Sequence, residues 1–306
     1  MRFLITGASG FVGSRLIDQL SKKHEVIAAS KVTSLLFKNK NIKTINFNFL
    51  DNKIDFSFLK NIDVVVHAAG LNEKECEDNY YYAKKINYEF SKILFEKCVN
   101  YKVKKFIRLS SIKVYGFKQN KKINEISDIN PYNNYSNLHA LTDNYFMNFQ
   151  NDITKIIILR LSNCYGHPLF SNYNNKLNIL FDFINDAKNY ELINIESKTN
   201  VKKNFFSIIE FIKIVDYLIF NFQKNSLFNV GSYNDINLLQ LAENIQSYFK
   251  KFNKDIRIKH QFKSSHVDNE GFSYDCNKIF RETGIKFDCI NYNEFDNIHR
   301  YIENNE

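Results

Sequence analysis

The sequence predicts an α/β chain organised around a doubly wound parallel sheet, with a smaller and less regular C-terminal region, and three observations carry that expectation. Strand-length apolar runs alternate with helix-length amphipathic patterns as far as residue 161. The first run, Phe3-Leu4-Ile5, leads into Thr6-Gly7-Ala8-Ser9-Gly10-Phe11-Val12-Gly13, and Val12, Leu16, Ile17 and Leu20 then recur at helical spacing. Beyond Gly166 the regular alternation stops.

Strand one, glycine turn and helix one form the organising unit. Gly7, Gly10 and Gly13, three apart at a strand-to-helix junction, allow a sharp bend, close approach of a pyrophosphate to the main chain, and tight packing of helix on strand. The helix N-terminus offers unpaired amides and a positive dipole end to phosphate. Gly7, Ser9, Gly10, Phe11, Val12 and Gly13 are therefore the candidate dinucleotide loop.

Glu25-Val26-Ile27-Ala28 reads as the second strand, followed by Ala29, Ser30 and Lys31 where an adenosine ribose would lie. An NAD site places an acid there, whereas a 2'-phosphate prefers hydroxyl and cationic groups. The missing acid favours NADP(H) over NAD(H), with Ser30 and Lys31 as its contacts. Ile42 to Phe47 alternates as a third strand, and Asn48 and Asp51 follow at the adenine edge. Asp63-Val64-Val65-Val66 is the fourth strand; it runs into His67-Ala68-Ala69-Gly70, whose small residues admit a ligand close to the backbone. His67 has no partner near it in sequence and reads as a packed residue.

Ile86, Phe90, Ile93 and Leu94 mark a helix ending near Asn100. Phe106-Ile107-Arg108-Leu109 is the fifth strand, with Ser110-Ser111 at the carboxyl edge where open parallel sheets bind ligands. After Pro131, Leu138, Leu141, Tyr145 and Phe149 lie at helical spacing, and Tyr135 and His139, four apart, share a face of that helix. Later helices are expected near Leu177–Lys188, Ile208–Phe222 and Leu238–Lys251.

Composition sets outer bounds. The chain has 306 residues, 44% of them hydrophobic, enough for one large domain or two closely joined ones, and a net charge of +9 that suits a polyanionic ligand. Lysine is spread along the whole chain, so no nucleic-acid patch or motif stands out. No membrane span is expected, because Glu210, Lys213 and Asp216 interrupt the apolar stretch from Phe205 to Phe222, and a cytoplasmic protein follows from the missing leader pattern. The five cysteines are scattered without paired metal spacing, so neither a disulfide frame nor a metal site is expected.

With these residues in view, the chain resembles the extended short-chain dehydrogenase/reductase superfamily, in the branch of nucleotide-sugar epimerases, dehydratases and 4-ketoreductases. The matching residues are Thr6 to Gly13, His67-Ala68-Ala69-Gly70, Asn87, Ser110-Ser111 with Val114-Tyr115-Gly116, Pro131 with Tyr135, Arg160-Leu161-Ser162-Asn163-Cys164-Tyr165-Gly166, Lys203 to Glu210, and Phe228-Asn229-Val230-Gly231-Ser232. The resemblance implies a Rossmann domain over 1–165 and a substrate-binding region over 166–306, with a strand near 227–230 returning to the main sheet. It implies hydride transfer between nicotinamide and a sugar carbon, commonly C4, with Tyr135 exchanging the oxygen's proton and Ser111 holding that oxygen. It implies cofactor contacts from Ala68, Ala69, Gly70, Tyr135 and His139, and contacts to a nucleotide-diphosphate sugar from Ser111, Lys113, Asn163 and Lys203. A homodimer through the helices near Ile86 and Leu141 is implied as well, as is a place in carbohydrate biosynthesis, polysaccharide included.

The sequence departs from the family at four places, one of them a late-region arginine whose neighbourhood here holds Lys263, Ser264, Ser265 and His266. His139 stands where the family has a lysine that lowers the tyrosine pKa and holds the nicotinamide ribose. Either His139 substitutes for it, protonated or through water; or another cation such as Lys113 supplies the charge; or the chain binds dinucleotide without catalysis. Ile112 and Lys113 replace the Asp-Glu pair of the dehydratases, which disfavours 4,6-dehydration. Lys203 replaces a phosphate-binding arginine and loses its planar bidentate contact. Keto reduction at C4 is the favoured reaction and 4-epimerisation the alternative.

Overall fold

The computed structural model describes residues 1–31, 37, 39–47, 54–116, 122–170, 179–197, 201–261 and 273–305. Seven strands form one sheet: β1 (Arg2–Thr6), β2 (Glu25–Ser30), β3 (Ile42–Asn46), β4 (Val64–His67), β5 (Lys105–Ser111), β6 (Lys155–Leu161) and β7 (Ser226–Val230). Their spatial order is β7-β6-β5-β4-β1-β2-β3, and every neighbouring pair is parallel. The order grows outward from β1 in both directions, which is the doubly wound arrangement, and it opens a crevice beyond the carboxyl ends of β1 and β4.

Continuous apolar sequence accounts for the central strands. Val64-Val65-Val66 and Ile156 to Leu159 are buried because helices cover both faces of the sheet. β3 is the exception at the edge: Lys43, Thr44 and Asn46 are exposed, and Ile42 and Ile45 are half-buried against the cores on opposite faces. On one face α1 (Phe11–Leu20) packs with Ile208, Phe211, Ile214, Val215 and Leu218 of a helix spanning Ile208–Asn221. On the other, the helix Ser91–Asn100 contributes Leu94, Phe95 and Cys98, and the helix Asn134–Asn148 contributes Phe146. A third core lies outside the sheet, where Leu180, Phe183 and Ile184 meet Leu241, Ile245, Phe295 and Ile298.

Three local features depart from simple periodicity. The segment Lys84–Phe90 is π-helical and leads into the helix Ser91–Asn100. Short parallel pairing joins Asn163–Tyr165 to Phe205–Ser207, two segments without a strand-length apolar signature. Residues Leu238–Phe249 end in a short 3-10 turn, Lys250–Phe252.

Candidate active site

The glycine turn is built for close approach. Gly7 has φ +71°, and a Cβ there would lie 2.7 Å from the Ala68 carbonyl oxygen. A Cβ on Gly13 would lie 2.2 Å from the Gly7 carbonyl oxygen, so helix α1 sits on the loop as only hydrogen permits. Gly10 is the N-cap of α1, and no side chain caps it. The first-turn amides are therefore left for a ligand, and no acidic side chain stands in that turn to repel phosphate. Small glycines where a Cβ would fill the space, an uncapped helix N-terminus and the neighbouring Ala68-Ala69-Gly70 segment fit a dinucleotide.

Gly10, Phe11, Val12 and Gly13 line one cleft of 730 Å³ together with Ala68, Ala69, Gly70, Ser111, Lys113, Tyr135, His139, Asn163 and Lys203. Register explains the convergence. Thr6, Ala29, His67 and Arg108 are cross-strand neighbours at one end of the sheet, so the loops after β1, β4 and β5 open at the same edge. His67 is held beneath them, with Nδ1 2.8 Å from the Thr6 hydroxyl and Nε2 2.8 Å from the Ser91 hydroxyl, and burial lowers its pKa to about 3. It is a neutral strut.

Asn133 caps the helix Asn134–Asn148 through a capping box with Ser136, which fixes the first turn that carries Tyr135. Burial raises the Tyr135 pKa, while the neighbouring Ser111 hydroxyl and Arg108 lower it. The Tyr135 and His139 rings meet edge to face at 4.4 Å between centroids. His139 Nδ1 lies 3.3 Å from Nη2 of Arg108, a guanidinium buried in β5. An arginine is always a donor, so Nδ1 accepts and the ring's proton resides on Nε2. Burial, and then Arg108, hold the His139 pKa well below its ordinary value. A neutral His139 offers a hydrogen-bond donor rather than a charge in the lysine's place. Lys113 is no free cation either, since its Nζ is paired with Glu73.

A polar network underlies the site. Asp143 accepts from Ser110 Oγ at 2.9 Å and from Arg160 Nε at 2.9 Å. Arg160 Nη1 donates to Tyr115 Oη at 2.8 Å, and Tyr115 donates to Asn229 at 2.6 Å. Also lining the cleft, Lys203 pairs in register with Ile236, and Asn163 Nδ2 donates to the Asn204 carbonyl at 2.7 Å. That bond uses one of the two Nδ2 hydrogens and leaves the other, with Oδ1, to meet a ligand.

Other expected residues lie differently. Ser9 and Ser30 are joined hydroxyl to hydroxyl at 3.0 Å, beside the glycine loop. Lys31 is exposed, its Nζ 3.5 Å from the Tyr82 hydroxyl. Asn48 and Asp51 lie outside the described residues. His167 stacks on Tyr301 and bonds the Pro168 carbonyl rather than Cys164. Arg108 and Asp143 were not singled out from sequence, although an arginine inside an apolar strand was a visible signal.

Comparison with known proteins gives the same picture. Over 277 residues the chain is 29% identical to dTDP-D-glucose 4,6-dehydratase of Dictyostelium discoideum, covering 80% of this chain and 61% of that protein. It is 24% identical over 265 residues to ADP-L-glycero-D-manno-heptose-6-epimerase of Brachyspira hyodysenteriae, covering 81% of each. The fold matches that of UDP-N-acetylglucosamine 4-epimerase from Methanobrevibacter ruminantium, in complex with UDP-N-acetylmuramic acid, at a TM-score of 0.83 and 21% identity over 99% of this chain and 97% of that one. It also matches UDP-glucuronic acid 4-epimerase from Bacillus cereus, in complex with UDP-glucuronic acid and NAD, at a TM-score of 0.79 and 20% identity over 99% of both chains. The NAD dependent epimerase/dehydratase family model matches residues 3–231, three quarters of the length, and the chain belongs to that family.

Proposed function

We propose that the protein is a nicotinamide-dependent oxidoreductase of nucleotide-diphosphate sugars that reduces a 4-keto group, with NADP(H) preferred to NAD(H). The observation that carries this reading is the presence of Ser111 and Tyr135 in the same cleft as the uncapped glycine loop, with Lys203 and Asn163 also lining it. In this reading residues 1–165 hold the cofactor and residues 166–306 hold the sugar nucleotide.

The bound cofactor would supply or accept a hydride at the sugar carbon. The chain's own task is the proton and the geometry. Ser111 and Tyr135 hold the sugar oxygen between two hydroxyls, and Tyr135 donates its proton to that oxygen during reduction or removes it during oxidation. The His139 Nε2–H is the donor available to a ribose hydroxyl. Lys203 places positive charge beside the diphosphate, while Lys113 is paired with Glu73. Dehydration across C5 and C6 is disfavoured because Lys113 is held by Glu73 and Ile112 carries no titratable group. The preference for NADP(H) is supported by Ser30 and Lys31 at the end of β2, in place of an acid.

The 4-epimerase reading is favoured by the Bacillus cereus structure, a 4-epimerase in complex with NAD. The decisive experiment is a fluorescence titration with NADPH and NADH, followed by a panel of nucleotide 4-ketosugars and UDP-sugars. Oxidation of added NADPH by a ketosugar supports the reductase. Interconversion of C4 epimers with retained cofactor and no net oxidation replaces it with the epimerase, and cofactor binding without turnover of either panel sinks both. A homodimer through Ile93, Leu141 and Met147, exposed on two adjacent helices, and a cytoplasmic location complete the proposal; light scattering of the purified protein tests the first.

A further inference from the structure

We propose that Arg108 supplies the electrostatic half of the missing lysine's work: its buried guanidinium stabilises the Tyr135 phenolate from below and fixes His139 in the Nε2–H tautomer that faces the cofactor ribose. This rests on the proposed oxidoreductase reading and adds a positioning residue to it.

The geometry separates two tasks that a lysine performs together. A lysine four residues after the tyrosine would bring both a charge and a ribose donor from one side chain. Here the donor is an imidazole and the charge comes from the neighbouring strand. Arg108 is 3% exposed, and its Nη2 lies 3.3 Å from His139 Nδ1 while Nη1 donates to the Leu109 carbonyl at 2.9 Å. Its Cζ stands 5.7 Å from the Phe146 ring centroid.

The charge is offset only in part, by the ion pair of Arg108 with Asp143, which Arg160 shares. Asp143 is the buried carboxylate nearest at hand, and it is committed to Arg160 at 2.9 Å, whereas Arg108 Nε reaches it only at 3.7 Å. Arg108 Nε and Asp143 Oδ1 both lack a hydrogen-bond partner, so the two face each other beyond bonding distance. Two arginines and one carboxylate leave one net positive charge buried beneath the helix that carries Tyr135.

The other titratable groups around Tyr135 do not provide that charge. Cys76 and Glu73, from the helix Glu73–Asp78, act in the opposite sense and raise its pKa, as does burial. Lys113 lies 5.8 Å from the Tyr135 ring centroid but is spent on Glu73. His139 is neutral, and so is His67, whose own pKa Arg108 also lowers. Tyr132 is a further phenol pushed up to about 12 by burial and by Glu73.

The test follows the alcohol-oxidation direction, where Tyr135 must be deprotonated and the rate rises with pH. Arg108→Met should move the midpoint of that rise upward by about one pH unit or more, lowering the rate at pH 7 by roughly tenfold. Arg108→Lys should hold the midpoint within about half a unit. His139→Lys should restore activity at pH 7 in the Arg108→Met background and fail to improve the wild type, where two cations would crowd one site. An unmoved midpoint in Arg108→Met overturns the proposal, as does a greater gain from His139→Lys in the wild type than in Arg108→Met. If no sugar is turned over, the oxidoreductase reading fails separately. The electrostatic claim is then decided by carbon-13 NMR titration of labelled tyrosine in the unliganded protein, with the Tyr135 signal identified by its loss in Tyr135→Phe. An upward shift of its ionisation in Arg108→Met supports the proposal, and none refutes it.

Discussion

Tyr135 lies under opposed influences: burial, Cys76 and Glu73 favour the neutral phenol, while Ser111 and Arg108 favour the phenolate. Removing its hydroxyl takes away the proton path without disturbing the ring's contact with His139. Tyr135→Phe should therefore lower kcat by roughly 10²–10⁴-fold with cofactor affinity nearly unchanged, measured by steady-state kinetics beside a binding titration. His67 supports a prediction of another kind. Its folded pKa of about 3 lies below the ordinary 6.5, so between those values the unfolded chain binds a proton that the folded chain refuses. Stability from this group is complete above pH 6.5 and is lost as pH falls, at about 1.4 kcal/mol per pH unit. Urea unfolding at pH 7.5, 6 and 5 should show a decline that is shallower by about that slope in His67→Gln. Equal slopes would mean that His67 takes up its proton in the folded state.

At the scale of elements, the glycine turn and the π-helical stretch do the positioning. Gly13→Ala forces a Cβ against the Gly7 carbonyl. Relieving that clash should cost about 1–3 kcal/mol, which is roughly a 5- to 150-fold loss of dinucleotide affinity in the fluorescence titration. Unchanged affinity would dismiss the loop as the phosphate cradle. In the segment Lys84–Phe90, the π-helical turn brings in Asn87, whose side chain accepts from Leu71 N at 2.7 Å and donates to the Leu71 carbonyl at 3.2 Å. This ties the loop after Gly70 to the π-helical turn, beside the cleft that Ala68, Ala69 and Gly70 line. The glycine turn, the central strands and the Tyr135 helix were legible in the sequence because each rests on local signals: spacing of glycines, continuous burial on both sheet faces, and 3.6-residue periodicity. The Arg108–His139 contact was not legible in the same way. It joins residues on a strand and a helix through packing, and neither residue carries a local sign of the other. The π-helical register and the pairing of Asn163–Tyr165 with Phe205–Ser207 were hidden for the same reason.

For the whole molecule, the sheet and the outer core are not separable pieces. β7 belongs to the main sheet, yet the helix Ile179–Tyr190 and the strand-like pair at 163–165 and 205–207 come before it in sequence. Asn204 ties the crossings together: its side chain accepts from Ser162 Oγ at 2.7 Å and from Ser232 N at 3.0 Å, and donates to Asp235 at 2.8 Å. A fragment ending at residue 165 would lack β7 and the helix Ile208–Asn221, which cover one sheet edge and much of one face. We expect it to be insoluble or to bind apolar dyes, judged by sedimentation and dye fluorescence. A monodisperse 1–165 fragment that binds dinucleotide would show that the first half folds by itself.

The sheet order also sets a timetable for synthesis. β6 can pair with β5 as soon as Leu161 leaves the ribosome, but its other edge waits for β7. At about 5–20 residues per second, the roughly 65 residues between them take on the order of 3–13 s to make. For those seconds the nascent chain carries a bare apolar strand edge next to an uncovered sheet face, and a chaperone that shields such edges would find its substrate there, well before the protein has a cleft for any ligand.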